Sequence, residues 1–207
     1  MAVERPIGTR DIARAAVRLR LAEVAFDVFR REGFDRVTIA DVAAAAGVSR
    51  STFQRYFPTK EDAVLGPLDA QGALVAAAVR ERPPGEDDWT ALRRAMDVLI
   101  EPQTRNPVGT LEMARVIQDN PVLRARSVTQ RVAWAPQLAE ALNARPGSAA
   151  SDLVRLVRAA AALNCLTFVV ERWTASDGRR DFGGLLDEAF SAFMLKATEP
   201  CGHPTPN

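Results

Sequence analysis

The residue types with chemistry to offer are concentrated in one short stretch, Ser49-Arg50-Ser51-Thr52-Phe53-Gln54-Arg55-Tyr56-Phe57. Read as a helix it divides cleanly: Phe53 and Phe57, four apart, fall on one face, while Arg50, Ser51, Gln54 and Arg55 fall on the other. Arginine can fork onto guanine and glutamine onto adenine, so this outward face carries side chains for reading base edges in a major groove about 12 Å wide. Ser49 and the first amides occupy the positive end of the helix dipole, which favours phosphate. Tyr56 can donate a phenolic hydroxyl to a phosphate, and Thr38 and Lys60 start the flanking helices, where they can grip the backbone on either side. Catalysis has no comparable stretch. His203 is the only histidine, Cys165 and Cys201 lie far apart, and no Gly-x-Ser-x-Gly elbow, Gly-rich phosphate loop or metal-ligand spacing occurs. No catalytic residue, cofactor or metal site is expected.

A helix can lie in a groove only if a second element braces it from behind. Thr38 to Ser49, with small residues Ala43 to Ala46, then Gly47 and Val48, has the composition of two short helices meeting across a tight turn. Three caps mark the boundaries: Thr38 with Asp41 three residues on, Ser49, and Thr59 with Asp62. Ahead of them, Val17, Leu21, Val24, Ala25, Val28 and Phe29 give one apolar face to a helix from about Thr9 to Glu32. Gly33 should close that helix in the left-handed conformation, with Phe34 folding back on Phe29.

Helical signals continue past a break at Gly66-Pro67 to about Arg80. Breakers then divide the chain into spans near 87 to 101, 107 to 119, 121 to 144, 151 to 175 and 182 to 197, with a kink expected at Pro136 and a disordered tail over 200 to 207. The span from 151 leaves almost no polar face. It is either a helix buried within the subunit or, with the amphipathic span after it, half of a bundle completed by a second chain. The composition, 47% hydrophobic and 26% charged, is that of a folded globular protein. The net charge of +1 conceals a gradient: residues 1 to 60 hold 11 basic against 7 acidic residues, and the remainder 16 against 19. Polyanion affinity therefore belongs near the N-terminus. Two cysteines make no disulfide framework, and the longest apolar run, Ala159 to Val170, falls short of the roughly 20 residues that span a bilayer. A cytoplasmic protein without a membrane partner is expected.

These residues resemble a known family. Phe29, Gly33-Phe34, Thr38-Ile39, Val42-Ala43, Gly47-Val48-Ser49, Thr52-Phe53, Tyr56-Phe57-Pro58 and Lys60-Glu61 are similar to the N-terminal domain of TetR-family regulators over residues 14 to 65. The resemblance implies an all-α fold: a helix-turn-helix head over residues 1 to 64, then a helical ligand-binding and dimerisation domain over 65 to 199. It implies a homodimer bound to double-stranded operator DNA and released by a small-molecule effector. Carried over by position, the DNA contacts are Thr38, Ser49, Arg50, Ser51, Thr52, Gln54, Arg55, Tyr56 and Lys60. Gln54 stands where relatives often have tyrosine and Ser51 where they often have glycine, so the operator need not match a relative's. Arg115 to Leu142, with Asn120-Pro121, Leu123, Arg124, Arg126 and Leu138, and Trp173 further on, is similar to actinobacterial members that take acyl-coenzyme A-like or other apolar effectors. Met96, Leu99, Met113, Ile117, Trp134, Leu138 and Phe168 are the apolar candidates to line such a cavity, although residues at this spacing more often form plain core. Asn164, an amide in an apolar stretch, needs a partner in backbone, dimer mate or ligand. The rival reading is a small-molecule carrier whose head no longer binds DNA.

Overall fold

Thr38, Ser49 and Thr59 each begin a helix by accepting a hydrogen bond from the backbone N–H three residues on, and Asp41 and Asp62 return the bond to the capping residue's own amide. A computed structural model describes residues 8–146 and 150–194, all of it helix, turn and coil. The head comprises α1 (Thr9–Glu32), α2 (Ile39–Ala45), α3 (Arg50–Tyr56) and α4 (Lys60–Leu65). A single 3-10 turn, Gly66–Leu68, absorbs the Gly-Pro break before α5 (Asp69–Arg80). There follow α6 (Asp88–Ala95), α7 (Glu101–Arg105), α8 (Pro107–Asp119), α9 (Pro121–Val132), α10 (Ala135–Asn143), α11 (Asp152–Ala175) and α12 (Phe182–Ser191). The tail expected to be disordered, with Cys201 and His203, lies outside the described residues.

Two apolar clusters organise the chain. One gathers the inward faces of α1 to α4 around Phe29, Phe53 and Phe57, and takes in Ile117 of α8 and Leu123 of α9. The other fills the space between α5, α6, α10, α11 and α12. Gly72 lets α5 approach α10 so closely that a Cβ there would meet the Trp134 ring at 2.5 Å. The Trp89 indole donates to the Phe190 carbonyl at 3.0 Å and ties α6 to α12.

Several expectations are corrected. Gly33 has the positive φ of 86°, yet its ψ of 132° lies outside the left-handed helical region. Its amide still closes on the Phe29 carbonyl, and Phe34 packs on Phe29 with centroids 5.0 Å apart. Pro102 opens α7 rather than ending a helix, because a proline in the first turn has no bond to forgo. Pro136 separates α9 from α10 instead of kinking one helix: its missing N–H and its ring oppose continuation from Val132. Nor is α11 enclosed on every side, since Leu153, Val157 and Phe168 are 70%, 58% and 62% exposed on one flank. By length and composition alone α11 and the Lys60–Arg80 stretch would suffice to cross a bilayer, a test that core helices also pass.

Candidate DNA interface and effector cavity

Helix α3 is anchored from behind by two rings. Phe53 and Phe57 are both 0% exposed, with centroids 5.6 Å apart, and Arg18 of α1 lies over the Phe57 ring at 5.1 Å. The opposite face carries Arg50, Ser51 and Arg55 in solvent, with Gln54 half-buried beside them. Ser49 Oγ accepts the Thr52 amide at 3.1 Å and lies within 3.0 Å of the Ser51 and Thr52 hydroxyls, so the start of α3 is a cluster of mutually oriented hydroxyl groups. Gly47 holds the turn before it at a φ of 68°, a conformation costly for residues with a Cβ.

The flanking positions divide. Thr38 is exposed, but its hydroxyl donates to Asp41 at 2.7 Å, and this bond with the Thr38 amide holds the Asp41 carboxyl below the usual aspartate range. Lys60 departs from expectation. Its ammonium donates to the Phe34 carbonyl at 2.8 Å and sits 4.4 Å from the Phe34 ring, so a phosphate would have to compete with the loop that follows α1. Tyr56 is half-buried, and the Arg55 guanidinium lies 5.7 Å from its ring. Sequence reasoning missed Arg10 and Arg14, one turn apart on α1, which share a surface groove with Arg55 and Tyr56. Their i,i+4 spacing in the basic N-terminal segment was the available signal.

A second feature lies inside the helical body. A cavity of about 100 Å³ is bounded by α5, α7, α8, α9, α11 and α12. Of the residues expected there, Leu99, Met113 and Ile117 line it. Met96 and Leu138 are buried in solid core, and Trp134 is spent on Gly72. Phe168 and Asn164 are corrections of a different kind, for both stand on the exposed flank of α11. Leu166, Val170 and Trp173 are the α11 residues that face the cavity. Positions two residues either side of Leu166 lie roughly 200° round a helix of 3.6 residues per turn, on the opposite flank.

Polar lining residues were missed as well. Arg131 is 7% exposed; its Nε donates to Thr167 Oγ1 at 3.2 Å and one Nη approaches Ser127 Oγ at 3.4 Å. Burial pushes its guanidinium below the ordinary arginine value, with Glu171 opposing from beyond ion-pair distance. Gln103 and Gln118 also line the cavity, and Gln103 Oε1 and Gln118 Nε2 are buried without a hydrogen-bond partner. The signal for Arg131 was its spacing: Leu123, Ser127 and Arg131 follow at intervals of four on the inward stripe of α9.

Cavity and head share material. Ile117 lines the cavity and belongs to the apolar cluster of the head, against which Met113 also packs. On α9, five residues before Arg131, Arg126 pairs with Asp62 of α4 at 2.6 Å, and Gln130 bonds both the Leu65 carbonyl and Asp69. Among the described residues no group of His, Cys, Asp or Glu is placed to hold a metal ion.

A solvent-facing arginine helix braced within a helix-turn-helix, joined to a helical body with an internal cavity, defines a DNA-binding transcription regulator. The family profile described as bacterial regulatory proteins, tetR family, matches residues 21–65, and that of the MftR C-terminal domain matches residues 86–197, over half of the chain. The chain belongs to the TetR family. It is 28% identical over 146 residues to the transcriptional regulator TcmR of Streptomyces glaucescens, covering 68% of this chain but only 65% of TcmR's length. It is 26% identical to the regulator MftR of Mycobacterium tuberculosis, covering 83% of this chain and 84% of that one. The structure of the repressor FadR of Thermus thermophilus in complex with lauroyl-CoA superposes with a TM-score of 0.59 at 25% identity, over 92% of this chain and 99% of that one.

Proposed function

We propose that this protein is a cytoplasmic, homodimeric repressor whose α3 helices enter successive major grooves of a palindromic operator, and which a small apolar or acyl-type effector releases. Arg50, Ser51, Gln54 and Arg55 read bases, while Ser49, Thr52, Thr38 and Tyr56 orient the head on phosphates; Lys60 joins them once freed from the Phe34 carbonyl. The observation that carries the reading is the double membership of Ile117, in the cavity wall and in the core of the head. A ligand that gains room by displacing α8 or α9 would move a helix docked on the head. Half-sites on one face of DNA lie about 34 Å apart, so a small change in the separation of two heads favours release. The relative crystallised with lauroyl-CoA supports an acyl-type effector.

The test is direct. DNA fragments captured by the purified protein supply the operator, and its affinity is then measured against salt and against candidate effectors such as lauroyl-CoA. Operator affinity should fall with salt at a log-log slope of about 0.9 per phosphate contact, and fall again with effector. A protein that binds effector but shows no salt-dependent DNA binding is a carrier, and operator affinity unchanged at saturating effector would refute the switch.

A further inference from the structure

We infer that the cavity takes a compact monocarboxylate with an apolar, single-ring or branched body, its carboxylate held by Arg131 and its hydrogen-bonding substituents by Gln118 and Gln103. This rests on reading the cavity as the effector site, and it narrows the effector from apolar or acyl compounds in general to free acids.

The first support is a buried charge without a directly paired carboxylate. Arg131 lies within the body of the protein at 7% exposure, and among the described residues no carboxylate lies within 4.0 Å of it. It donates to the hydroxyls of Thr167 and Ser127, which use two of the five N–H donors of its fork. Glu171, beyond ion-pair distance, offsets that burial only in part, and an ion held out of water without a directly paired counter-charge is costly. A ligand carboxylate returns that cost as a bidentate, charge-assisted pair. A neutral ligand does not, and a cationic one aggravates it.

The second support is the pairing of amide groups. Three buried side-chain polar atoms among the described residues lack a partner, and two of them, Gln103 Oε1 and Gln118 Nε2, line this cavity; the third, Arg145 Nε, does not. Gln118 Nε2 is a donor and suits a carboxylate or carbonyl oxygen, while Gln103 Oε1 is an acceptor and suits a hydroxyl or N–H on the same ligand. Leu99, Met113, Leu166, Trp173 and Phe182 enclose the rest with apolar surface. Size favours a compact body: a protein cavity of roughly 150 Å³ holds one benzene, so about 100 Å³ seats a single ring after slight expansion, whereas a long acyl chain would have to run out through the open side of the pocket. An acyl thioester also carries no charge at its acyl carbonyl, leaving Arg131 without its partner.

The experiment uses the full-length chain and matched probes: benzoate, 4-hydroxybenzoate, cyclohexanecarboxylate and hexanoate at millimolar concentration, each beside its primary amide, with lauroyl-CoA in parallel. Thermal unfolding and quenching of tryptophan fluorescence report binding, since Trp173 is in the wall. At least one acid should raise the unfolding temperature and bind about tenfold or more tightly than its amide. Arg131→Met should remove that preference while keeping the fold, because an apolar side chain of similar length replaces a poorly paired charge. Arg131→Lys, which keeps charge without the fork, should retain a reduced preference and covers the case in which the methionine variant fails to fold. Acids and amides binding alike, no acid of the panel acting on the wild type, or a preference that survives in Arg131→Met would each overturn the inference. The two readings fail separately. If lauroyl-CoA releases the operator while no acid binds, the regulator stands and the free-acid assignment falls; if acids bind through Arg131 yet leave operator affinity unchanged, the reverse holds.

Discussion

Phe53 and Arg55 are two residues apart on a helix of seven, and everything the head can do depends on their facing opposite ways. Phe53→Ala removes a ring with no exposure and leaves a cavity between α1, α2 and α3, at a cost of about 3 kcal/mol or more. Arg55→Ala removes a solvent-exposed guanidinium, so urea unfolding should barely change, while operator affinity should drop by about 1–3 kcal/mol if the side chain reads a base. Equal operator affinity for wild type and Arg55→Ala would mean that α3 addresses DNA with another face. Residue type and spacing carried this much because a four-residue interval of phenylalanines sorts a helix's faces without reference to the rest of the fold. Lys60 was not legible in the same way: its partners, the carbonyls of Phe34 and Val37, come from 26 and 23 residues away. Arg131 was legible in principle, since it repeats the Leu123 and Ser127 phase, but a charged residue on an apolar stripe is discounted unless the partners across the helix are known.

Between residues and domains, the element that matters is α4, held at its start by Thr59 and Asp62 and at its side by α9. Burial works against ionisation of Asp62, yet hydrogen bonds from Thr59 and the Arg126 guanidinium outweigh it, and the carboxyl stays below the usual aspartate range. A folded value below the unfolded one, which is about 3.9, means a stabilisation fully present above that pH and lost as pH falls through the folded value. Head stability by urea denaturation should therefore be insensitive to this group from neutrality to about pH 5 and decline below about pH 4, and Asp62→Asn should flatten that decline. The Arg126–Asp62 pair itself is half in solvent, so its removal should cost the fold about 1 kcal/mol at most. Its weight lies in coupling. Arg126→Ala should keep operator and effector binding but shrink the factor by which effector lowers operator affinity, which titration at zero and saturating effector measures directly; an unchanged factor would place the coupling in α8 instead. Helix boundaries were legible where a cap is local, as at Thr38, Ser49 and Thr59, because side chain and amide are three residues apart. The cavity wall was not, since periodicity separates inward from outward residues but cannot tell which inward ones meet a neighbour and which meet a void. That is why Leu99 and Met96, both inward, part company, and why Asn164 and Phe168 were placed on the wrong flank of α11.

At the scale of the whole molecule, the unfinished surface is the exposed flank of α11. Leu153, Val157 and Phe168 lie along one stripe with Asn164 between them, and the described residues of the subunit leave them in solvent. Sequence periodicity left two occupants open, the subunit's own core or a second copy; exposure removes the first and favours the second. A stripe of apolar side chains with one amide is also how helix pairs fix their register, at some expense in stability. Placing like charges on it, as in Val157→Glu with Phe168→Glu, should cost an isolated subunit little, because both positions are already wet. Facing the same charges across a two-fold axis, however, should dissociate the pair, giving monomers in sedimentation velocity with unchanged helicity. The consequence for DNA is specific. A dimer neutralises phosphates with two heads and a monomer with one, so besides losing affinity the variant should show about half the wild-type slope of log affinity against log salt. Monomers that keep the full slope would mean that one head makes all the phosphate contacts, and a variant that stays dimeric would move the two-fold axis away from α11.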